Sequence, residues 1–292
     1  MASMRDIKRR KNSIQSTQQI TKAMKLVSTV KLQRAKNAAE RSKVYFSEMF
    51  ATVSSILAKS SGVNHPYLTE SDTTAKAVVV ITSNRGLAGG YNSNVTKLIT
   101  GDERFSKDDT YIYAVGKKGK DTLARKGYKI AADYTEVINA PLYTDAAEIC
   151  AQLLESFRIG EIGEIYLAYT VFKNTVSQIP TILKLLPVDL EAARNAKDIE
   201  EDTAASRAIM NFEPDEEEAL DLIIPKYVTS LIYGAMIEAV ASENGARMQA
   251  MDNATSNAEE MIQDLELGYN RARQAHITQE LTEIIGGAEA LS

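Results

Sequence analysis

The 292-residue sequence has no tryptophan, a single cysteine (Cys150), two histidines (His65 and His276) and six prolines. One thiol cannot close an internal disulfide, and one Cys with two His cannot complete a structural zinc site, so both kinds of scaffold are excluded by count. A reducing, cytoplasmic setting is expected. No unbroken apolar run approaches the roughly 20 residues that span a bilayer, so a soluble protein is expected, one still able to join a membrane complex through a partner. Neither G-x-G-x-x-G nor G-x-x-x-x-G-K-[ST] occurs, and AVGKKGKDT around Lys120 only approximates the second. Residues 6–60 lack both proline and glycine.

That last absence permits one uninterrupted helix. Apolar residues recur at Ile7, Ile14, Met24, Val27, Leu32, Ala35, Ala39, Phe46, Met49, Val53 and Ile56, and 55 residues at 1.5 Å each make a helix of roughly 80 Å. Gly62 and NHPYL then end it. Beyond lie five β-rich runs, KAVVVIT, TYIYAVG, KIAADY, EIYLAYTVF and QIPTILKLLPV, with helical patterns between the first four. The alternation predicts an α/β domain with a mostly parallel sheet, closed by a hairpin of the last two runs. A second long helix is expected from near Pro214 almost to the end, with Pro225 as its interior breaker. Within it Met248, Met251, Ala254, Ala258, Met261, Leu265, Gly268 and Ala272 step by three and four residues, a heptad seam of small and flexible side chains. The boundaries are 1–60, 75–190, an acidic connection at 191–213, and 214–292.

Two long helices separated by a compact domain each carry an apolar stripe that needs covering, which predicts an antiparallel coiled coil. With residue 57 beside 217, Met24 falls near residue 250 and the N-terminus near 270. The remainder then has no partner within the chain, although Ile277, Leu281, Ile284, Ile285 and Leu291 are apolar. Something external is expected to sheathe this tip.

Charge is unevenly distributed. Residues 1–36 hold ten Lys/Arg against one Asp, and residues 189–221 hold twelve acidic residues against Arg194, Lys197 and Arg207. The basic helix leaves a nucleic-acid-binding coiled coil as an alternative function. The stretch VVVITSNRGLAGGYNSNV, Val78 to Val95, raises a third, since a strand ending in a glycine-rich loop before a helix often cradles phosphate. Gly86, Gly89 and Gly90 are read instead as structural turn residues, since a strand-to-helix turn needs glycines at positive φ. No nucleophile–base pair, metal-ligand set or cofactor motif stands out; Met248, Met251 and Met261 are read as seam residues and His276 as a surface or interface residue.

Three blocks, IKRRKNSIQSTQQITKAMKLVSTVKLQRAK (Ile7–Lys36), SNRGLAGGYN (Ser83–Asn92) and ARMQAMDNATSNAEEMIQDLELGYNRARQAHITQELTEIIGGAEAL (Ala246–Leu291), make the chain resemble the gamma-subunit family of F-type ATP synthases over nearly its whole length. Ala88 stands where many relatives have Cys, and Asn84 where many have Asp. The resemblance implies a Rossmann-like central domain between the coiled-coil helices and no ligand in the glycine-rich loop. It further implies a noncatalytic rotor subunit without cofactors in a proton-translocating, ATP-forming complex, one copy per complex. The implied partners are the alpha and beta subunits of the catalytic hexamer, the epsilon subunit and the membrane c-ring, with no nucleic acid. The lack of a chloroplast-type dithiol insertion and of a presequence before RDIKRR points to the cytoplasmic face of a bacterial membrane. By position, Met24 and Arg247 correspond to residues facing an acidic loop of the beta subunit, and the coil register sets those two opposite each other. Arg273, Gln274, Thr278 and Glu280 correspond to a catch on a second beta-subunit loop. Glu213, preceded by Phe212 where Tyr is more usual, corresponds to the glutamate near the membrane ring.

Overall fold

A computed structural model describes residues 4–59, 65–69, 71, 73–188 and 216–289. The expected acidic connection at 191–213, Glu213 and Leu291 lie outside the described residues. The elements are α1 (Met4–Lys59), β1 (Lys76–Ile81), α2 (Tyr91–Thr100), β2 (Thr110–Val115), α3 (Lys117–Arg125), β3 (Lys129–Asp133), α4 (Tyr143–Arg158), β4 (Glu164–Phe172), β5 (Gln178–Leu186) and α5 (Glu216–Glu289). Two compact units emerge, Met1–Thr29 with Arg247–Ser292, and Val30–Ala246.

In the second unit the strand order is β3-β2-β1-β4-β5. Every pairing is parallel except that of β4 with β5. This is the parallel sheet with a terminal hairpin that the sequence predicts. Its central strand β1, KAVVVI, is buried from Ala77 through Ile81, because helices cover both faces and β-branched side chains pack well on a pleated surface. On one face Val78, Val80, Ile112 and Ala114 meet Val95 and Ile99 of α2 and Leu123 of α3. On the other, Val79, Ile81 and Leu167 share a core with Ile149 and Leu153 of α4, Leu220, Ile224, Val228 and Ile232 of α5, and Val53 and Ile56 of α1. Asp145 starts α4 by accepting the Leu142 N–H at 2.9 Å, which satisfies a donor the helix leaves free.

One 18-residue stretch within α5 is long and apolar enough to cross a membrane by length and composition, at mean hydropathy 1.3, where the sequence shows no unbroken run of that size. An average tolerates isolated polar residues that a continuous run does not. Half of the stretch is buried inside the protein, as befits a helix that supplies much of a core.

In the first unit, the α1 positions least exposed to solvent are Met4, Ile7, Lys11, Ile14, Gln18, Thr21, Met24, Lys25 and Ser28, a spacing of three and four residues that defines a seam. From Met251 on, the α5 seam runs Met251, Ala254, Thr255, Ala258, Ile262, Leu265, Gly268, Tyr269 and Ala272. This corrects the expected set in two places. Met261 is 52% exposed and Ile262 takes its turn; on α1, Val27 is 57% exposed while Ser28 is buried. On α1 the cause is chemical: apolar residues alone were counted, whereas Ser28 is buried with its hydroxyl on the Met24 carbonyl and Thr21 with its hydroxyl on that of Thr255. The exchange of Met261 for Ile262 is a shift of one position along the helix.

Candidate functional site

The glycine-rich loop is the first place to look for a ligand, since it lies at the carboxyl end of β1, where the strand order reverses between β1 and β4; open α/β sheets bind ligands at such points. Beside it, the amides that open the near-motif AVGKKGKDT are already engaged. At the start of α3 the Lys117 N–H reaches Asn84 Oδ1 at 2.9 Å, the Lys118 N–H reaches the Ser83 carbonyl at 3.0 Å, and the Gly119 N–H reaches Thr82 Oγ1 at 2.9 Å. The near-motif lysine Lys120 is paired with Asp133 at 2.6 Å. These contacts need a very close approach of two loops. A Cβ on Gly116, whose φ is 117°, would lie 2.0 Å from the Thr82 carbonyl oxygen.

The rest of the loop turns towards α5. Asn92 holds Ser83 through its side-chain amide, accepting the Ser83 N–H at 2.9 Å and donating to Ser83 Oγ at 2.8 Å. Tyr91 donates its hydroxyl to the Ala239 carbonyl at 3.2 Å, and Ala88, Tyr91 and Ala246 form a small apolar cluster. SNRGLAGGYN therefore braces the sheet against α5.

In the helix pair of the first unit, Lys11 Nζ lies 2.6 Å from Glu266, Lys25 Nζ 2.5 Å from Asp252, and Thr21 Oγ1 2.7 Å from Thr255 Oγ1. The three contacts place α1 and α5 antiparallel in a single register. Because a residue advanced on one helix is a residue lost on the other, Met24 falls opposite residues 252–253 and Met4 opposite residues 272–273. The expected register, Met24 near residue 250, was within one turn. Arg247, however, stands five or six residues from the point opposite Met24, roughly 8 Å along the axis, so the two are not directly facing. Of the basic residues in α1, Lys11 and Lys25 are committed to cross-helix ion pairs, which removes part of the phosphate footprint that a nucleic-acid reading requires.

Past Ala272 every α5 side chain through Ala288 is exposed. Ile277, Leu281, Ile284 and Ile285 are 47%, 54%, 67% and 61% exposed; in this register the first described residue of α1, Met4, already lies opposite residues 272–273. At 100° per residue, these four fall on the same half of the helix as Arg273, Gln274, Thr278 and Glu280, so the expected polar catch and the apolar tip form one mixed face. Glu280 also sits 3.3 Å from His276 one turn earlier. On α1, Ile20, Leu26, Val27 and Val30 are likewise more than half exposed, a second uncovered apolar stripe that the sequence reading passed over.

A family model described as ATP synthase matches residues 3–291. The chain is 64% identical over 292 residues to the ATP synthase gamma chain of Lachnoclostridium phytofermentans, spanning all of both chains. It is 40% identical to a gamma chain of Acetobacterium woodii named as sodium ion specific, covering 99% of each. Among solved structures it is similar to a chain of the Tetrahymena thermophila mitochondrial ATP synthase central stalk and c-ring, at 25% identity and a TM-score of 0.56, over 80% of this chain and 99% of that one. A chain of the Euglena gracilis mitochondrial enzyme shares the fold at a TM-score of 0.65 and 20% identity, over 99% and 94%. With a full-length family match and a full-length relative at 64% identity, the chain belongs to the ATP synthase gamma family.

Proposed function

We propose that this chain is the central rotor shaft of an F-type ATP synthase, turning inside the alpha/beta hexamer and coupling ion-driven rotation of the membrane c-ring to conformational change at the catalytic sites. The observation that carries the reading is the run of α5 from Arg273 to Ala288, which continues as an exposed helix with a mixed polar and apolar face. A helix that buries nothing against the described residues of its own chain is stabilised by a surrounding partner. Because a single shaft has no threefold symmetry, each orientation presents a different surface to each of three catalytic sites, and differential contacts then bias their conformations.

Within that reading Arg273, Gln274, Thr278 and Glu280 form the catch on the beta subunit, and Ile277, Leu281, Ile284 and Ile285 the bearing in the hexamer. Met24 and Arg247 contact the acidic beta-subunit loop, each on its own helix and at staggered heights. Glu213 approaches the c-ring, and the epsilon subunit completes the stalk. The chain forms no catalytic site, holds no cofactor and works as one copy on the cytoplasmic face of a bacterial membrane, with protons as the coupling ion. Chain divisions at 1–60, 75–190, 191–213 and 214–292 then correspond to shaft, foot, connection and shaft.

The test is reconstitution with the alpha and beta subunits of a bacterial relative. One copy of the chain should join each hexamer, and a bead attached to the central domain should rotate on addition of MgATP. A hexamer that hydrolyses ATP without retaining the chain, or a bead that stays still during hydrolysis, would overturn the proposal.

A further inference from the structure

Beside the glycine-rich loop and the last residues of β4, α5 turns a smooth face to the α/β domain. Ala239, Ser242, Gly245 and Ala246 are all buried there, and none carries a side chain larger than a hydroxymethyl group. At 100° and 1.5 Å per residue they span about 120° of the helix circumference and about 10 Å of its length. The small side chains let the domain come close: an added Cβ on Gly245 would meet the Phe172 ring at 3.3 Å and the Gln178 amide at 3.4 Å. They also remove the ridges by which a helix ordinarily interlocks with what it packs against.

A smooth apolar face can slip, because apolar contact is non-directional. Two hydrogen bonds oppose slipping here. Ser242 donates its hydroxyl to the Thr170 carbonyl at 3.0 Å, and Tyr91 donates its own to the Ala239 carbonyl at 3.2 Å. The two come from different elements, yet both lead to the middle of the sheet. Thr170 belongs to β4, while Asn92, next to Tyr91, is tied to Ser83 just beyond the end of β1, and β1 and β4 are neighbours. A turn of α5 by about 20° would carry a group about 5 Å from its axis through about 2 Å, a displacement that neither bond survives. On the hairpin side Lys36 of α1 sets its ammonium over the Phe172 ring, 5.7 Å from its centre, so the hairpin touches both long helices.

We propose that Tyr91 and Ser242 are positioning residues that lock α5 against turning on its own axis, and that torque passes between α5 and the α/β domain through their two hydrogen bonds. The lock rests on the rotor reading of the chain and adds the place where torque leaves the helix. Its position along the chain fits that role. Ala246 closes the unit Val30–Ala246, and α5 runs on from Arg247 as part of the other unit. A twist carried along α5 from its carboxyl end therefore reaches residues 239–246 first on entering the α/β unit. Both residues act through α5, so the lock governs torsional stiffness and leaves the chemistry to the hexamer.

The test uses the full chain reconstituted with the alpha and beta subunits of a bacterial relative, the hexamer fixed to a surface and a bead attached to the central domain. During the pauses of MgATP-driven rotation, the angular variance of the bead reports the torsional stiffness between hexamer and domain. In the double variant Tyr91→Phe with Ser242→Ala, which removes both directional ties, the variance should roughly double. Ser242→Thr, which keeps a hydroxyl at the same position, should stay near the wild type. Thr110→Val removes another buried hydroxyl of the domain, one without a hydrogen-bond partner, and should leave the variance unchanged. ATP hydrolysis without a bead should match the wild type in all of them. Should the double variant fail to assemble, Tyr91→Phe alone, which deletes a single oxygen atom, carries the test with a smaller rise in variance. A wild-type bead that stays still would overturn the rotor reading itself. Rotation of the wild type with no added variance in the assembled Tyr91 and Ser242 variants would overturn the lock alone, and so would an equal rise in Thr110→Val, which would mark a general softening of the domain.

Discussion

Thr21 of α1 and Thr255 of α5 share a hydrogen bond of 2.7 Å between their hydroxyls in the seam of the helix pair. Each hydroxyl also lies within bonding distance of a carbonyl on its own helix, Gln18 for Thr21 at 2.9 Å and Met251 for Thr255 at 2.8 Å. A buried polar pair of this kind is satisfied in one register only. Sliding either helix by one heptad would put a hydroxyl against an apolar neighbour, so the pair selects alignment as well as adding stability.

A double-mutant cycle with Thr21→Val and Thr255→Val should therefore return a coupling of about 0.5–1.5 kcal/mol, the net worth of one such bond. Urea unfolding of the full chain measures it. A coupling indistinguishable from zero would show that register is set elsewhere.

Two glycines should respond oppositely to alanine. At Gly116 the positive φ alone costs on the order of 1–3 kcal/mol for another residue, and the added Cβ would meet the Thr82 carbonyl oxygen at 2.0 Å, so Gly116→Ala should markedly lower thermal stability. At Gly268, inside α5, nothing lies within 4 Å of the added Cβ, and Gly268→Ala should stabilise by about 0.5–1 kcal/mol through helix propensity. Scanning calorimetry of both variants decides the matter. A destabilising Gly268→Ala would mean that small size at this seam position is needed for helix contact.

Cys150 should be chemically silent in the folded chain. It is buried, and burial pushes its thiol up to about 11, so little thiolate exists near neutral pH and a reagent has no path to it. Maleimide labelling at neutral pH should be slow until denaturant is added. The linkage has a definite sign: the thiol is protonated more firmly in the folded state than in the unfolded one. Its contribution is complete below about 9, the ordinary value, and is lost as pH rises through about 11. Cys150→Ser should flatten that alkaline decline.

The catch and the tip should be separable in reconstituted complexes. Gln274→Ala with Thr278→Ala removes polar groups able to bond a surrounding subunit, each worth about 0.5–1.5 kcal/mol, and should reduce steady-state ATPase more than deletion of residues 286–292. Apolar contact is non-directional and allows turning, so the tip can act as a bearing. Since both sets share one half of α5, the contrast is a demanding one, and greater damage from the deletion would show that residues 286–292, which lie beyond both sets, matter more to coupling than the polar catch does.

Much of the architecture was determined by sequence alone, through period and punctuation. The absence of Gly and Pro from residues 6–60 specified α1, the β-branched run at Val78–Ile81 specified a strand buried on both faces, and the count of apolar residues beyond Ala272 implied a helix end without an internal partner. These features are local or arise from simple geometry, so no knowledge of contacts was needed. The tertiary structure decided the rest. Thr21, Ser28 and Thr255 look like surface residues in the sequence, and only the meeting of two helices supplies the hydroxyl partner that makes burying the threonine pair favourable. The near-motif AVGKKGKDT looks like an approximate phosphate cradle until Thr82, Ser83 and Asn84 are seen to occupy the first amides of α3.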